Sequence, residues 1–124
     1  MAWKLAELHS LSHFKIEGGC QNLVSFPEEG LLPTNLNSLR ISRLLNLKYL
    51  EGGALQKLSS LKTLEINGCN ELNSLPEHEL PFSLSSLTIR NCSLLNPKLQ
   101  ERRGREWIKI SRIPSTHLDD EVSD

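Results

Sequence analysis

The chain has few aromatic residues and no long apolar segment. Phe, Trp and Tyr make up 5% of its 124 residues. No apolar run approaches the roughly 20 residues that a membrane-spanning helix needs. The N-terminal segment, Met-Ala-Trp-Lys-Leu-Ala-Glu-Leu, is too polar for a secretory signal peptide. We therefore expect no membrane span, and a core of aliphatic side chains arranged in thin layers.

Neither charge nor cysteine is present in excess. The formal net charge is -1, which argues against a bulk attraction to nucleic acid or to anionic membranes. The three cysteines, Cys20, Cys69 and Cys92, are an odd number and lack the spacing of a disulfide framework. These features favour a reducing compartment, and we expect the chain to be cytoplasmic.

A leucine pattern recurs along the chain and is its strongest signal. The unit Leu-x-x-Leu-x-Ile is followed three residues later by Cys or Leu in three copies, and Phe14 belongs to a fourth copy that reaches Cys20 after one extra glycine. The second apolar residues of the four copies, Phe14, Leu39, Leu64 and Leu87, are 25, 25 and 23 residues apart. This spacing lies within the period of about 20–29 residues that leucine-rich repeats have.

The alternation within each unit predicts how the repeat folds. Leu-x-Ile places apolar and polar residues in turn, which is the pattern of a half-buried strand. A single coil cannot bury its own apolar edge, so successive coils have to stack. The repeats therefore predict an α/β solenoid: a leucine-rich-repeat horseshoe fragment with a parallel β-sheet on its concave face, an irregular convex side and a C-terminal cap. We expect its strands near His13–Glu17, Arg40–Ser42, Thr63–Asn67 and Ser86–Arg90.

An amphipathic helix bundle is the main alternative, because a spacing of three residues also fits a helix. Pro27, Pro33, Pro76 and Pro81 interrupt the helical candidates, as do several glycines, and we favour the solenoid. The segments that lead into the strands are of two kinds. A helical turn is expected from Gly53 to Ser60, whereas the two Leu-Pro pairs elsewhere predict extended chain.

Three regions are expected along the chain. Residues 1–95 contain about four repeats whose N-terminal edge is open, residues 96–114 form the C-terminal cap, and residues 115–124 form a disordered acidic tail. The cap is expected to begin with a short helix from Lys98 to Arg103. Four apolar side chains are expected to cover the last coil: Trp107, Ile108, Ile110 and Ile113.

Nothing in the sequence supports catalysis or a cofactor. Neither Gly-Gly pair is followed by the Lys-Ser/Thr of a phosphate loop. The histidines lack metal-like pairing, and no Ser, His and acid are spaced as a triad. Cys69 and Cys92 fall at matching turn positions, where core filling is favoured over redox pairing, so we expect both thiols to be buried and reduced. We expect a binding module rather than an enzyme, with no catalytic, cofactor-binding or metal-binding residues.

The polar residues of the predicted strands form the candidate binding surface. They alternate with inward-facing residues and should project from the concave face. Their charges have both signs, which suits a polar protein patch, although a merely solvated face fits the pattern equally well. The candidate protein-binding residues are His13, Lys15, Glu17, Ser38, Arg40, Ser42, Thr63, Glu65, Asn67, Ser86, Thr88 and Arg90.

The C-terminal part carries motifs that resemble a known family. Residues 92–95 (Cys-Ser-Leu-Leu), 104–110 (Gly-Arg-Glu-Trp-Ile-Lys-Ile) and 112–114 (Arg-Ile-Pro) resemble the C-terminal end of plant coiled-coil nucleotide-binding leucine-rich-repeat disease-resistance proteins. Those proteins commonly end in Cys-Pro-Leu-Leu, Gly-Glu-Asp-Trp-x-Lys-Ile and His-Ile-Pro, and the upstream repeats are similar too. Four positions depart from the usual Pro, Cys, Glu and His: Ser93, Leu99, Arg105 and Arg112.

The resemblance implies a function. Such repeats help to detect pathogen effectors or guarded host proteins, and help to hold the receptor's nucleotide-binding switch off. It implies a protein-recognition module of an intracellular plant immune receptor, whose partner would be an effector, a guarded host protein or the receptor's own nucleotide-binding domain. The alternatives are a leucine-rich-repeat substrate adaptor of a ubiquitin ligase and a non-functional truncated gene product. Without a phosphate loop or a coiled-coil region, we expect a fragment or a truncated product that does not bind nucleotide.

Overall fold

The computed structural model describes residues 11–18, 23–28, 30–76, 80–100 and 104–118. These residues form short strands and short helices joined by turns. In chain order the elements are β1 (His13–Glu17), β2 (Ser25–Phe26), β3 (Ser38–Ser42), β4 (Tyr49–Leu50), α1 (Gly52–Gln56), β5 (Thr63–Asn67), β6 (Ser86–Arg90), α2 (Asn96–Gln100), α3 (Arg105–Ile110) and β7 (Ser115–Leu118).

The main sheet contains five parallel strands in the order β1-β3-β5-β6-β7. Its register keeps equivalent residues of the repeat side by side: Phe14 pairs with Leu39, Leu39 with Leu64, and Leu64 with Leu87. The strands are parallel because each coil returns the chain to the same end of the sheet. The predicted strand positions and parallel pairing are confirmed, although β3 begins earlier than expected, at Ser38.

The core consists of leucine and isoleucine layers. In β3, β5 and β6 the second and fourth residues are fully buried, and the residues between them are partly or fully accessible. Burying one such side chain contributes about 1.5–3 kcal/mol, so the repeated layers supply the stability that one large aromatic centre would otherwise provide. Leucines from the turns complete the layers: Leu36, Leu44, Leu47, Leu61, Leu72, Leu84 and Leu95.

A second sheet has two strands, β2 and β4, which come after β1 and β3 respectively along the chain. Strand β2 pairs with β4 in parallel, which places Phe26 beside Leu50. The ring of Phe26 is completely buried. The backbone N–H of Lys48 donates to the carbonyl oxygen of Val24 at 2.7 Å, and the N–H of Asn73 donates to the carbonyl oxygen of Lys48 at 3.4 Å. This ladder was not predicted, because two residues are too few to show an alternating pattern.

Of the two kinds of segment predicted between the strands, the helical one is present and the extended one is not. The expected helical turn is present as α1, which begins at Gly52 and ends at Gln56, short of Ser60. The two Leu-Pro segments, which were expected to be extended, form turns instead. These turns are closed by hydrogen bonds from Leu36 N–H to the carbonyl oxygen of Pro33 and from Leu84 N–H to that of Pro81.

The C-terminal region differs from the expectation in its first helix and in one side chain. Helix α2 begins at Asn96, and residues 101–103, which were expected to complete it, lie outside the described residues. Ile110 and Ile113 are buried and Trp107 packs partly against the core, as expected. Ile108 was expected to cover the last coil, but it is 63% exposed because it points away from the buried side of α3.

The acidic tail that was expected to be disordered from residue 115 starts instead with a strand. Residues 115–118 form β7, which pairs with β6 so that Leu118 lies beside Ile89. The N–H of Ser115 donates to the carbonyl oxygen of Ser85 at 3.0 Å. The exposed backbone edge of β6 accounts for the difference, because it offers hydrogen bonds that composition alone does not reveal. Residues 119–124 lie outside the described residues.

Cys69 and Cys92 are fully buried, which confirms the predicted burial, and both are free thiols. Each Sγ atom lies near the carbonyl oxygen two residues earlier, so the thiols fill the turn that follows β5 and β6. The third cysteine, Cys20, lies outside the described residues. The expected open N-terminal edge depends on Leu5 and Leu8, which lie outside them as well. Across the described ranges, no helix is long and apolar enough to span a membrane.

Candidate protein-binding surface

The candidate binding residues share one face of the main sheet, which we call the polar strand face. They occupy the alternate positions of β1, β3, β5 and β6 that are not fully buried. The strand register arranges them in three rows: His13, Ser38, Thr63 and Ser86; Lys15, Arg40, Glu65 and Thr88; Glu17, Ser42, Asn67 and Arg90. The structure therefore brings all twelve predicted residues together.

Strand β7 extends two of these rows. Ser115 pairs with Ser86 and His117 with Thr88, and the Ser115 hydroxyl lies 3.0 Å from Nε2 of His117. The sequence prediction missed both residues because it assigned their segment to a disordered tail. The signal that identifies them is the backbone pairing with β6 and not any alternation of their own.

Charged side chains concentrate at the β1–β3–β5 side of the polar strand face. Lys15 and Arg40 occupy directly paired positions, where like charges repel. Glu17 offsets this repulsion by pairing with Lys15 at 3.1 Å, and Glu65 offsets it by pairing with Nε of Arg40 at 3.3 Å. The result is an alternating array of positive and negative groups.

Glu17 also pairs with Arg43, which follows the end of β3. The hydrogen bond from Arg43, followed by the hydrogen bond from Lys15 and the charges of both, lowers the pKa of Glu17 below its ordinary value of 4.5. The Glu17 carboxylate therefore stays ionised to a lower pH than an ordinary glutamate.

A groove of about 470 Å³ lies over this charged array. Its polar lining consists of Lys15, Glu17, Arg40, Ser42, Arg43, Glu65, Asn67 and Asn91. Six of these residues are among those predicted from the strand pattern. Arg43 and Asn91 were missed because each lies one residue beyond its strand.

The residues that follow the four repeat strands share one backbone conformation. Gly18, Arg43, Gly68 and Asn91 all have positive φ angles, of 58°, 55°, 75° and 56°. Their N–H groups continue the ladder: Gly18 donates to Ser42 at 3.0 Å, Arg43 to Asn67 at 2.7 Å and Gly68 to Arg90 at 2.9 Å. The sequence does carry a signal for Arg43, because it occupies the position that holds glycine in two of the other repeats.

The β6 side of the face is held by hydrogen bonds to uncharged acceptors. Arg90 donates from Nη1 to the carbonyl oxygen of Leu118 at 3.3 Å, which ties β6 to β7. Nδ2 of Asn91 donates to Oδ1 of Asn67 at 3.0 Å. The charge available for recognition therefore lies mainly at the other side, around Arg40 and Arg43. Within the described ranges, no group of three or more His, Cys, Asp or Glu side chains could hold a metal ion.

Comparison with known proteins gives one informative match. The chain is 41% identical over 120 residues, or 97% of its length, to a protein of Arabidopsis thaliana named "putative disease resistance protein". It spans 8% of the length of that relative. No protein-family model matches the chain, and no solved structure matches it. The chain is therefore related in sequence to a small segment of a plant protein named for disease resistance.

Proposed function

We propose that the chain is a protein-recognition segment of an intracellular plant immune receptor of the coiled-coil nucleotide-binding leucine-rich-repeat class. One observation carries this proposal: twelve polar side chains stand in register on one sheet face over a closed leucine core. The relation to a protein named for disease resistance supports its immune setting.

In this proposal the coils form a leucine-rich-repeat solenoid, and the polar strand face is its concave side. The in-register pairing of Phe14, Leu39, Leu64 and Leu87 supports stacked repeats. Helices α2 and α3, strand β7 and the segment that joins α3 to β7 serve as the C-terminal cap. They cover the last repeat strand and contribute Leu99, Ile110 and Ile113 to the core.

The shape and chemistry of the face favour a protein partner over a small molecule. Small-molecule pockets are mostly apolar concavities with a few polar groups, whereas this groove is open and lined largely by charged and polar side chains. Side chains of both signs allow paired contacts that select a partner by charge pattern. The segment would act without a cofactor and without catalysis, in the cytoplasm.

Three partners fit the proposal: a pathogen effector, a guarded host protein, and the nucleotide-binding domain of the parent receptor. The first two correspond to sensing and the third to autoinhibition. Each would present a polar surface to the same strand face, so one experiment on that face addresses all three.

Site-specific photo-crosslinking in plant leaves tests the proposal. A photoreactive amino acid is placed at Thr88, in the middle row of the polar strand face. The control position is Lys48, which directly precedes β4 of the second sheet. We expect a discrete crosslinked protein from the Thr88 position and none from Lys48. Equal crosslinking from both positions, or none from Thr88, would contradict recognition through this face.

A further inference from the structure

Arg43 holds a backbone conformation that favours glycine. The equivalent residues Gly18 and Gly68 adopt it without cost, and Asn91 tolerates it comparatively well. A long side chain at φ 55° is strained, because its Cβ approaches the neighbouring carbonyl oxygen. An outlier of this kind points to a function for the side chain.

The surroundings of Arg43 accommodate its side chain. A Cβ atom on Gly68 would come within 3.0 Å of Cγ of Arg43, so the glycine leaves the space that the arginine needs. The guanidinium group reaches Glu17 on β1, yet the side chain remains 67% exposed. Arg43 is thus fixed at the groove and still accessible to a ligand.

The groove has one cation more than its carboxylates can balance. Lys15 and Arg43 share Glu17, and Arg40 pairs with Glu65. Guanidinium groups form their strongest hydrogen bonds with carboxylates, often through two donors at once. A carboxylate supplied from outside would complete the pairing of Arg43.

We propose that this groove binds an acidic segment of a partner protein, with an Asp or Glu carboxylate seated on Arg43 and Arg40. This inference rests on the proposed recognition function and adds the chemistry of the ligand. Glu17 and Glu65 also line the groove and repel a densely charged polyanion such as nucleic acid, so a peptide with spaced carboxylates is the favoured ligand.

Fluorescence anisotropy of the full chain with labelled peptides tests this inference. The probe is a short peptide of alternating Ser and Glu, and its control has Gln in place of Glu, both at low ionic strength where screening is weak. We expect Arg43→Gln to weaken binding of the Ser-Glu peptide about five- to tenfold. Lys48→Gln, which removes one cation outside the groove, should change it less than about twofold.

Arg43→Gly separates recognition from folding. Because glycine relieves the strained φ, the folding equilibrium of the Arg43→Gly variant should be unchanged or up to about fivefold more favourable. Its peptide binding should weaken as much as that of Arg43→Gln. A variant less stable than the wild type would assign Arg43 a structural role and overturn the inference.

Two further results would overturn the inference: equal binding of the Ser-Gln peptide, and unchanged binding by Arg43→Gln. If Thr88 crosslinks a partner but the acidic peptide does not bind, the ligand chemistry is wrong and the recognition function stands. If Thr88 fails to crosslink as well, both proposals fail.

Discussion

Glu106 in α3 is 7% exposed although its side chain carries an ionisable carboxyl group. The carboxylate accepts a hydrogen bond from the N–H of Leu75 at 2.8 Å and pairs with Nζ of Lys109 at 3.1 Å. Lys109 in turn donates to the carbonyl oxygen of Leu75 at 2.6 Å. Two side chains therefore satisfy both backbone groups of Leu75, as a neighbouring strand would.

Replacing Glu106 with alanine should lower the free energy of unfolding by about 3–5 kcal/mol, because it leaves Lys109 buried without its carboxylate and Leu75 N–H without an acceptor. Urea unfolding measures this loss. Glu71→Ala, at an exposed turn residue, should change the stability by less than about 0.5 kcal/mol. Equal effects of the two variants would show that the pair does not hold the C-terminal region in place.

The Cys69 thiol should make the free energy of unfolding depend on pH in the alkaline range. Burial raises the pKa of its thiol above the ordinary value of 9.0, against weaker opposing hydrogen bonds with the backbone of Leu44 and Arg43. The unfolded chain loses this proton first, so the free energy of unfolding should fall as the pH rises from about 8 to about 10. In Cys69→Ala the decline should be smaller. Parallel slopes for the two proteins in urea melts at several pH values would contradict this expectation.

The candidate site was predictable from the sequence wherever it depends on strand alternation. Lys15, Arg40 and Glu65 could be placed on one face because each lies between two apolar residues of its strand. Strand alternation could not place Arg43 and Asn91, because both lie just beyond their strands in a left-handed turn. Their signal in the sequence is instead the glycine at the equivalent positions of the other two repeats.

At the scale of elements, the strands with a Leu-x-Ile alternation were predictable and the others were not. Strands β2 and β4 are held by pairing with each other over two residues, which leaves no period to detect. Strand β7 presents Thr116 where the other strands of the main sheet present leucine or phenylalanine, and acidic residues follow it. Its formation depends on the free edge of β6 more than on its own sequence.

Leu118 tests whether β7 belongs to the folded structure. It is partly buried against the core, so Leu118→Ala should lower the free energy of unfolding by about 1–2 kcal/mol. Ile108→Ala removes an aliphatic side chain that is 63% exposed, and it should change stability by less than about 0.5 kcal/mol. Urea unfolding of both variants gives the comparison. A larger loss for Ile108 would restore the expectation that it covers the last coil.

At the scale of the whole molecule, the proposed solenoid makes stability a sum over neighbouring coils and their two ends. At the C-terminal end, β7 pairs with the edge of β6. The Glu106–Lys109 pair forms hydrogen bonds with the backbone N–H and carbonyl oxygen of Leu75. At the other end, β1 pairs with β3 on one side, and no described strand pairs with its second side. The partly buried Leu11 and Phe14 lie at that end.

The edge of β1 that no described strand covers should therefore mediate self-association, because such an edge offers a row of backbone donors and acceptors. Ser38 N–H donates to Ser12 and Gly18 N–H donates to Ser42, so the even-numbered positions of the β1 segment face β3 and the N–H of His13 faces away. His13→Pro should remove an outward donor and leave the pairing with β3 intact, because proline is tolerated on edge strands. Light scattering should show a mass that rises with concentration for the wild type and rises less for His13→Pro, whereas Lys48→Gln should behave as the wild type. A mass independent of concentration in all three proteins would show that the edge of β1 is not available to a second chain.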